Sequence, residues 1–161
     1  MKAFQANDDM VEYIVGHYAD MLLRIAFQNT RNYSDAEDVV QDVLTRFFSL
    51  PVKLNDENHL KAWLIRATIC RCRDLTRSPW RKRNIEMPPD YPSSYTDEEK
   101  NVLEDILQLP VKYRNVIYLY YYEGYRINEI AEILSANANT VGSQLQRGRM
   151  MLKDLLEGEE P

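Results

Sequence analysis

Apolar residues recur along this chain at helical rather than alternating intervals. Val39, Val40, Val43, Leu44 and Phe47 are spaced three and four apart, which predicts a buried stripe on one side of a helix. Ser34-Asp35-Ala36-Glu37 stands just ahead of them and reads as a capping box, the Ser34 hydroxyl taking an exposed amide and Glu37 returning the bond. Thr96-Asp97-Glu98-Glu99 repeats the pattern before Val102, Leu103, Ile106 and Leu107. The only β-prone stretch, the tyrosine-rich run 118–122, lies between helical segments. With five glycines and no sustained alternation, the chain is expected to be all-α.

Helical periodicity breaks between residues 84 and 97. Three of the seven prolines, Pro88, Pro89 and Pro92, fall here beside Ser93 and Ser94. Proline removes backbone donors and restricts its predecessor, so this stretch is expected to be an extended, flexible linker. The expected organisation is two small helical domains, 1–83 and 98–161, joined by a linker at 84–97.

Residues 124–155 hold the clearest pattern. Gly124 is placed to end one helix, and Ile127, Ile130, Ala131 and Leu134 mark a short second one. Ser135-Ala136-Asn137 makes a turn, with Asn137 as N-cap of a third helix carrying Val141, Leu145 and Leu152. A short helix, a tight turn and a longer amphipathic helix form a helix-turn-helix. The outer face of the third helix offers Thr140, Ser143, Gln144, Gln146, Arg147, Arg149 and Lys153, types suited to base edges and phosphates. Spacing alone also allows a helical hairpin with a polar outer face.

Net charge is −5, which taken whole argues against a nucleic-acid partner. The segments differ sharply. Residues 1–58 carry 5 basic and 10 acidic side chains, whereas 59–83 carry 8 basic (Lys61, Arg66, Arg71, Arg73, Arg77, Arg81, Lys82, Arg83) against Asp74 alone. Such a block is a candidate polyanion-binding surface, the plainer reading being a solvated helix face. Trp63 and Trp80 lie within it, and aromatic rings among cations suit unstacked bases. Trp63 nevertheless shares its spacing with Leu60 and Ala67, which predicts the apolar side.

Other classes find little support. No apolar run approaches the ~18 residues of a membrane span, and the acidic N-terminus lacks the layout of a signal peptide, so a cytoplasmic location is expected. His17 and His59 head no catalytic or metal-ligand spacing. Cys70 and Cys72 lie about 200° apart around a helix and cannot readily chelate one ion. No enzyme activity, cofactor or small-molecule substrate is expected. The tyrosines at 118, 120, 121, 122 and 125 read as packing, with some hydroxyls finding partners or water.

Several of these segments together resemble a known family. Leu109-Pro110-Val111-Lys112-Tyr113-Arg114, Tyr122-Glu123-Gly124, Glu129-Ile130-Ala131 and the run Thr140-Val141-Gly142-Ser143-Gln144-Leu145-Gln146-Arg147-Gly148-Arg149 resemble region 4 of bacterial sigma factors. Asp35-Ala36-Glu37-Asp38-Val39-Val40-Gln41-Asp42 looks like region 2.2; Trp63-Leu64-Ile65-Arg66, Asp74 and the arginine-rich tail look like regions 2.3 and 2.4. The two-domain length resembles the extracytoplasmic-function (ECF) group.

The resemblance implies a factor that binds core RNA polymerase, directs it to promoter DNA and opens the duplex. Region 2.2 would dock on the clamp coiled coil of the largest catalytic subunit through Asp35, Glu37, Asp38, Gln41 and Asp42. Of these, Asp38, Gln41 and Asp42 share one helical face opposite the apolar stripe. Asn55, Asp56, Glu57, Asn58 and His59 would pocket a flipped −10 base, with Cys70 nearby. Arg66, Arg71, Arg73, Arg77, Arg81, Lys82 and Arg83 would neutralise phosphates. At the −35 element, Ser143, Gln146 and Arg147 would read base edges, while Thr140, Arg149 and Lys153 hold phosphates and Gln144 lies alongside. Cys70 stands where many relatives carry Asn; Gly142 and Gln144 replace frequent cations, which predicts weak, salt-sensitive binding by this domain alone. A cognate anti-sigma factor, holding the chain at the membrane, is implied by resemblance only.

Two other readings fit parts of the sequence. A sigma-like adaptor or decoy binding only an anti-sigma protein would not need the eight cations of 59–83. A stand-alone helix-turn-helix regulator would leave the N-terminal module unexplained.

Overall fold

In the computed structural model, residues 8–49, 56–77 and 104–158 are described. The chain divides into two compact units, Met1–Glu86 and Met87–Pro161. Among the described residues every regular element is helical. The expected linker and the Thr96–Glu99 cap, with Val102 and Leu103, lie outside the described residues.

The first unit is a three-helix bundle of α1 (Asp8–Thr30), α2 (Tyr33–Ser49) and α3 (Glu57–Thr76), each packed on the other two. The predicted α2 stripe forms as expected: Val39, Val40, Val43 and Phe47 are buried, and Leu44 is half-buried at its edge. They meet Ile14, Leu22, Ile25 and Ala26 of α1 and Leu60, Leu64, Ile65 and Ile69 of α3 in one core. Each fully buried aliphatic side chain contributes about 1.5–3 kcal/mol. Thr68, the one hydroxyl deep in α3, is satisfied by donating to the Leu64 carbonyl at 2.7 Å.

The start of α2 differs from expectation. Asn32, not Ser34, caps the helix: its Oδ1 accepts the Asp35 amide at 2.9 Å, and its carbonyl accepts the Ala36 amide. The chain reverses between α1 and α2 through Arg31 in the left-handed region (φ 55°), which brings Asn32 two residues ahead of the apparent capping box.

Among the described residues of the second unit, 104–107 are helical and are followed by α4 (Val111–Tyr121), α5 (Ile127–Leu134) and α6 (Ala138–Gly158). Pro110 stands at the α4 cap, where a missing N–H leaves nothing unsatisfied. The 118–122 run is helical through Tyr121, and seven consecutive α4 residues, Tyr113 to Leu119, are buried. Gly124 ends this segment at φ 71°, a conformation glycine adopts without Cβ strain. Glu129 then reaches back to the Arg126 amide at 2.9 Å and fixes the start of α5.

Ser135 closes α5 in the left-handed region, and the Ala136 amide bonds the Ala131 carbonyl at 2.9 Å. Asn137 caps α6 as predicted, its Oδ1 accepting the Asn139 amide at 2.8 Å. Val141 and Leu145 are buried while Leu152 is half-buried. Gly148 also belongs to this buried side. A Cβ there would stand 3.0 Å from Ile117 Cγ1, so the missing side chain permits the close crossing of α4 and α6.

Candidate polymerase and nucleic-acid interfaces

On α2 the apolar stripe faces α1 and α3, which turns Glu37, Asp38, Gln41 and Asp42 to solvent; Asp35 is half-buried on the flank. The carboxylates and the amide predicted to meet a basic partner are therefore presented together on one exposed helix. Asp42 is engaged within the unit as well, since Arg71 Nε donates to its Oδ2 at 3.1 Å.

On α3 the pattern resolves into two sides. His59, Arg66, Cys70, Arg73 and Arg77 are all exposed, and their spacings of seven, four, three and four residues align them in one stripe. Arg71 lies off this stripe, toward α2. The expected −10 set is thus split: three arginines share the outer face, and the fourth is held by Asp42. Trp63 is half-buried against Phe47, ring centroids 5.5 Å apart, at the border of core and stripe.

Asp56 caps α3, its Oδ1 accepting the Asn58 amide at 2.8 Å. Glu57 accepts a hydrogen bond from the Tyr13 hydroxyl of α1; that bond holds the proton on the phenol and, with burial and the carboxylate's charge adding to it, pushes the phenol up to about 12. Asp56, Glu57, Asn58 and His59 are exposed at this helix start. Asn55, Arg81, Lys82 and Arg83, the remaining −10 expectations, lie outside the described residues, as does Trp80.

The two cysteines occupy opposite environments. Cys70 is exposed; Cys72 is buried, with its Sγ 3.8 Å from the Ala26 carbonyl. Burial pushes the Cys72 thiol up to about 12, Asp35 adding to the shift and Arg71 opposing it. Among the described residues no group of three or more His, Cys, Asp or Glu could hold a metal ion. Nor is any described helix long and apolar enough to cross a membrane.

Along α6, Thr140, Ser143, Gln146 and Arg147 are exposed and Gln144 is half-buried. The Arg147 guanidinium, foremost, together with Lys112 favours the ionised form of the Tyr113 phenol in α4 and lowers it below its ordinary range. Arg149, expected on a phosphate, is exposed and also engaged within its own unit. Its Nε donates to the Tyr121 hydroxyl, and its guanidinium lies 5.3 and 5.4 Å from the ring centroids of Tyr120 and Tyr121. Those contacts hold the guanidinium against α4 and raise its pKa further. Lys153 pairs with Glu157 at 3.7 Å, both largely exposed. Asn139 was not among the expected contacts, yet it is exposed in the first turn of α6. Extending the i, i+4 series back from Ser143 would have found it.

Comparison with known proteins agrees with this architecture. Family models described as "Sigma-70 region 2" and "Sigma-70, region 4" match residues 14–82 and 100–152. The RNA polymerase sigma factor SigV of Bacillus subtilis (strain 168) is 26% identical, covering 94% of this chain and 93% of its own length. The ECF RNA polymerase sigma factor SigL of Mycobacterium tuberculosis (strain ATCC 25618 / H37Rv) is 31% identical, covering 89% of this chain and 86% of its own length. Among solved structures, the sigma factor RpoE from Bartonella quintana, in complex with the anti-sigma factor NepR, superposes with a TM-score of 0.64 at 24% identity. That match covers 96% of this chain and 100% of the other. With both regions matched in order and this likeness spanning nearly the whole chain, the protein belongs to the sigma-70 family, as an ECF RNA polymerase sigma factor.

Proposed function

We propose that the chain is an initiation factor, not an enzyme, which works in the cytoplasm by docking on core RNA polymerase and carrying it to promoters. Residues 1–83 form the polymerase-binding and −10 module, 84–97 the linker and 98–161 the −35 module. The observation that carries this reading is the pairing of two opposed surfaces on one small bundle. An acidic face on α2 (Glu37, Asp38, Gln41, Asp42) suits a basic protein partner, and a cationic stripe on α3 (Arg66, Arg73, Arg77) suits a melted strand.

The division of labour follows from the chemistry. Extracting a −10 base costs a few kcal/mol of stacking, which phosphate contacts and a pocket near Asp56–His59 offset. Cys70 lies on the same stripe, and Asn55, Arg81, Lys82 and Arg83, outside the described residues, are assigned to the same −10 role by the family resemblance. Ser143, Gln146 and Arg147 read −35 edges from the exposed face of α6, flanked by Thr140, Gln144 and Lys153. Arg149 braces α6 against α4 and so aims those residues. An anti-sigma factor is the expected regulator, as one is the partner of RpoE in its crystal structure.

The test is Asp38→Arg with Asp42→Arg in the full chain. Core binding in a pull-down should fall sharply while helicity is retained; unchanged affinity for core would reject the assignment of α2.

A further inference from the structure

Arg71 occupies an anomalous place in the cationic segment. At 100° per residue it is rotated roughly 140° from Arg66, so it cannot share a phosphate track with the stripe that Arg73 and Arg77 continue. Its Nε donates to Asp42 Oδ2 at 3.1 Å, joining α3 to the exposed face of α2. The arginine side chain is 36% exposed against 50% for the aspartate, so the contact sits at the rim of the bundle with its carboxylate partly open to solvent. A cation held by an α2 carboxylate belongs to the α2 surface.

We propose that Arg71 is a positioning residue of the polymerase-docking face: it fixes the Asp42 carboxylate for a basic partner and does not contact promoter phosphates. The inference rests on the α2 reading above. One carboxylate oxygen is held from within the unit, and the other, Oδ1, accepts from a cation of the partner. Fixing the rotamer beforehand spares the ordering entropy that Asp42 would otherwise lose on docking. The arrangement has an unusual consequence for sign. Simple charge counting says that removing Arg71 should strengthen attraction to a basic partner, whereas the positioning role says binding weakens.

The test measures two quantities for Arg71→Ala, Arg71→Lys and Asp42→Asn in the full chain: affinity for core polymerase without DNA, and the salt dependence of holoenzyme binding to promoter DNA. Exposed ion pairs of this kind set the scale, so Arg71→Ala should weaken core binding about two- to five-fold, with Arg71→Lys recovering part of the loss. Combined with Asp42→Asn, Arg71→Ala should add nothing further, and the affinities are compared on chains that unfolding curves show to be fully folded, which excludes a merely structural defect. The promoter salt slope should stay unchanged. Unchanged or tighter core binding by Arg71→Ala overturns the proposal, and so does a fall of about one in the salt slope, the signature of a lost phosphate contact. Asp38→Arg separates the two levels. If it leaves core binding intact, the α2 reading fails and takes this inference with it; if it abolishes binding while Arg71→Ala does nothing, only the inference fails.

Discussion

Gly142→Ala and Gly148→Ala make the same chemical change six residues apart in α6, and the structure assigns them different signs. Alanine in a helix interior is favoured over glycine by about 1 kcal/mol. At Gly142 a new Cβ meets nothing within 4 Å, so the whole gain should appear. At Gly148 the Cβ would lie 3.0 Å from Ile117 Cγ1, 3.2 Å from its Cδ1 and 3.5 Å from Tyr113 Cβ. Ile117 is only 1% exposed, so its end cannot swing into solvent, and overpacking a filled core costs about 1–3 kcal/mol. The net effect at Gly148 is therefore about 0–2 kcal/mol destabilising, leaving Gly148→Ala about 1–3 kcal/mol below Gly142→Ala. Chemical unfolding of the full chain followed by far-UV circular dichroism measures the difference. Both tryptophans, Trp63 and Trp80, fall in the first unit, so a tryptophan fluorescence transition that does not move serves as the internal control. Equal stabilisation by both alanines would refute the close crossing of α4 and α6.

Cys72 links stability to alkaline pH. Its folded pKa is raised from 9.0 to about 12, so the unfolded chain loses the proton first; its contribution is intact below about pH 9 and is lost as pH climbs toward 12. Cys72→Ala should flatten that decline relative to wild type, and alkylation of the native chain should label Cys70 alone. Arg73→Ala should weaken promoter binding by holoenzyme across sequences and reduce its salt slope by about one, with core affinity unchanged. Arg147→Ala should cost about 1–3 kcal/mol at a matched −35 element and relax specificity at one base pair, measured by competition among −35 variants.

The parts of this molecule legible in its sequence were those governed by local rules. The α2 stripe, Gly124, the Ser135 turn and the Asn137 cap depend on neighbours within a few residues, and periodicity exposes them. What escaped depended on chain reversal or on contacts between helices. Asn32 rather than Ser34 caps α2 because Arg31 turns the chain one step earlier. The 23-residue α1 went unread although Ile14, Tyr18, Met21, Leu22 and Ile25 recur at helical intervals, because the exposed Val11, Tyr13 and Val15 interleave with that stripe and dilute it. The candidate site shows the same division. The resemblance assigned Arg66, Arg71, Arg73, Arg77 and Arg149 to phosphates alike; the helix backbone aligns Arg66, Arg73 and Arg77, while Arg71 and Arg149 also reach neighbouring helices. Their guanidinium groups are held by Asp42 and by the Tyr120–Tyr121 pair, partners 29 and 28 or 29 residues away in the chain. The contact of Gly148 with Ile117 joins α6 to α4 across the sequence, and no local pattern marks it.

The overall charge of −5 also has a mechanical meaning under this account. Acidic and cationic surfaces occupy separate helix faces, so the free factor should bind DNA poorly until polymerase brings the cationic stripe to a melted strand. The most direct test is run-off transcription with purified core polymerase on fragmented genomic DNA, with transcript 5′ ends sequenced. The account predicts discrete start sites that appear with the wild-type chain and vanish with Asp38→Arg/Asp42→Arg. Transcripts no different from those of core polymerase alone, on every template, would contradict it.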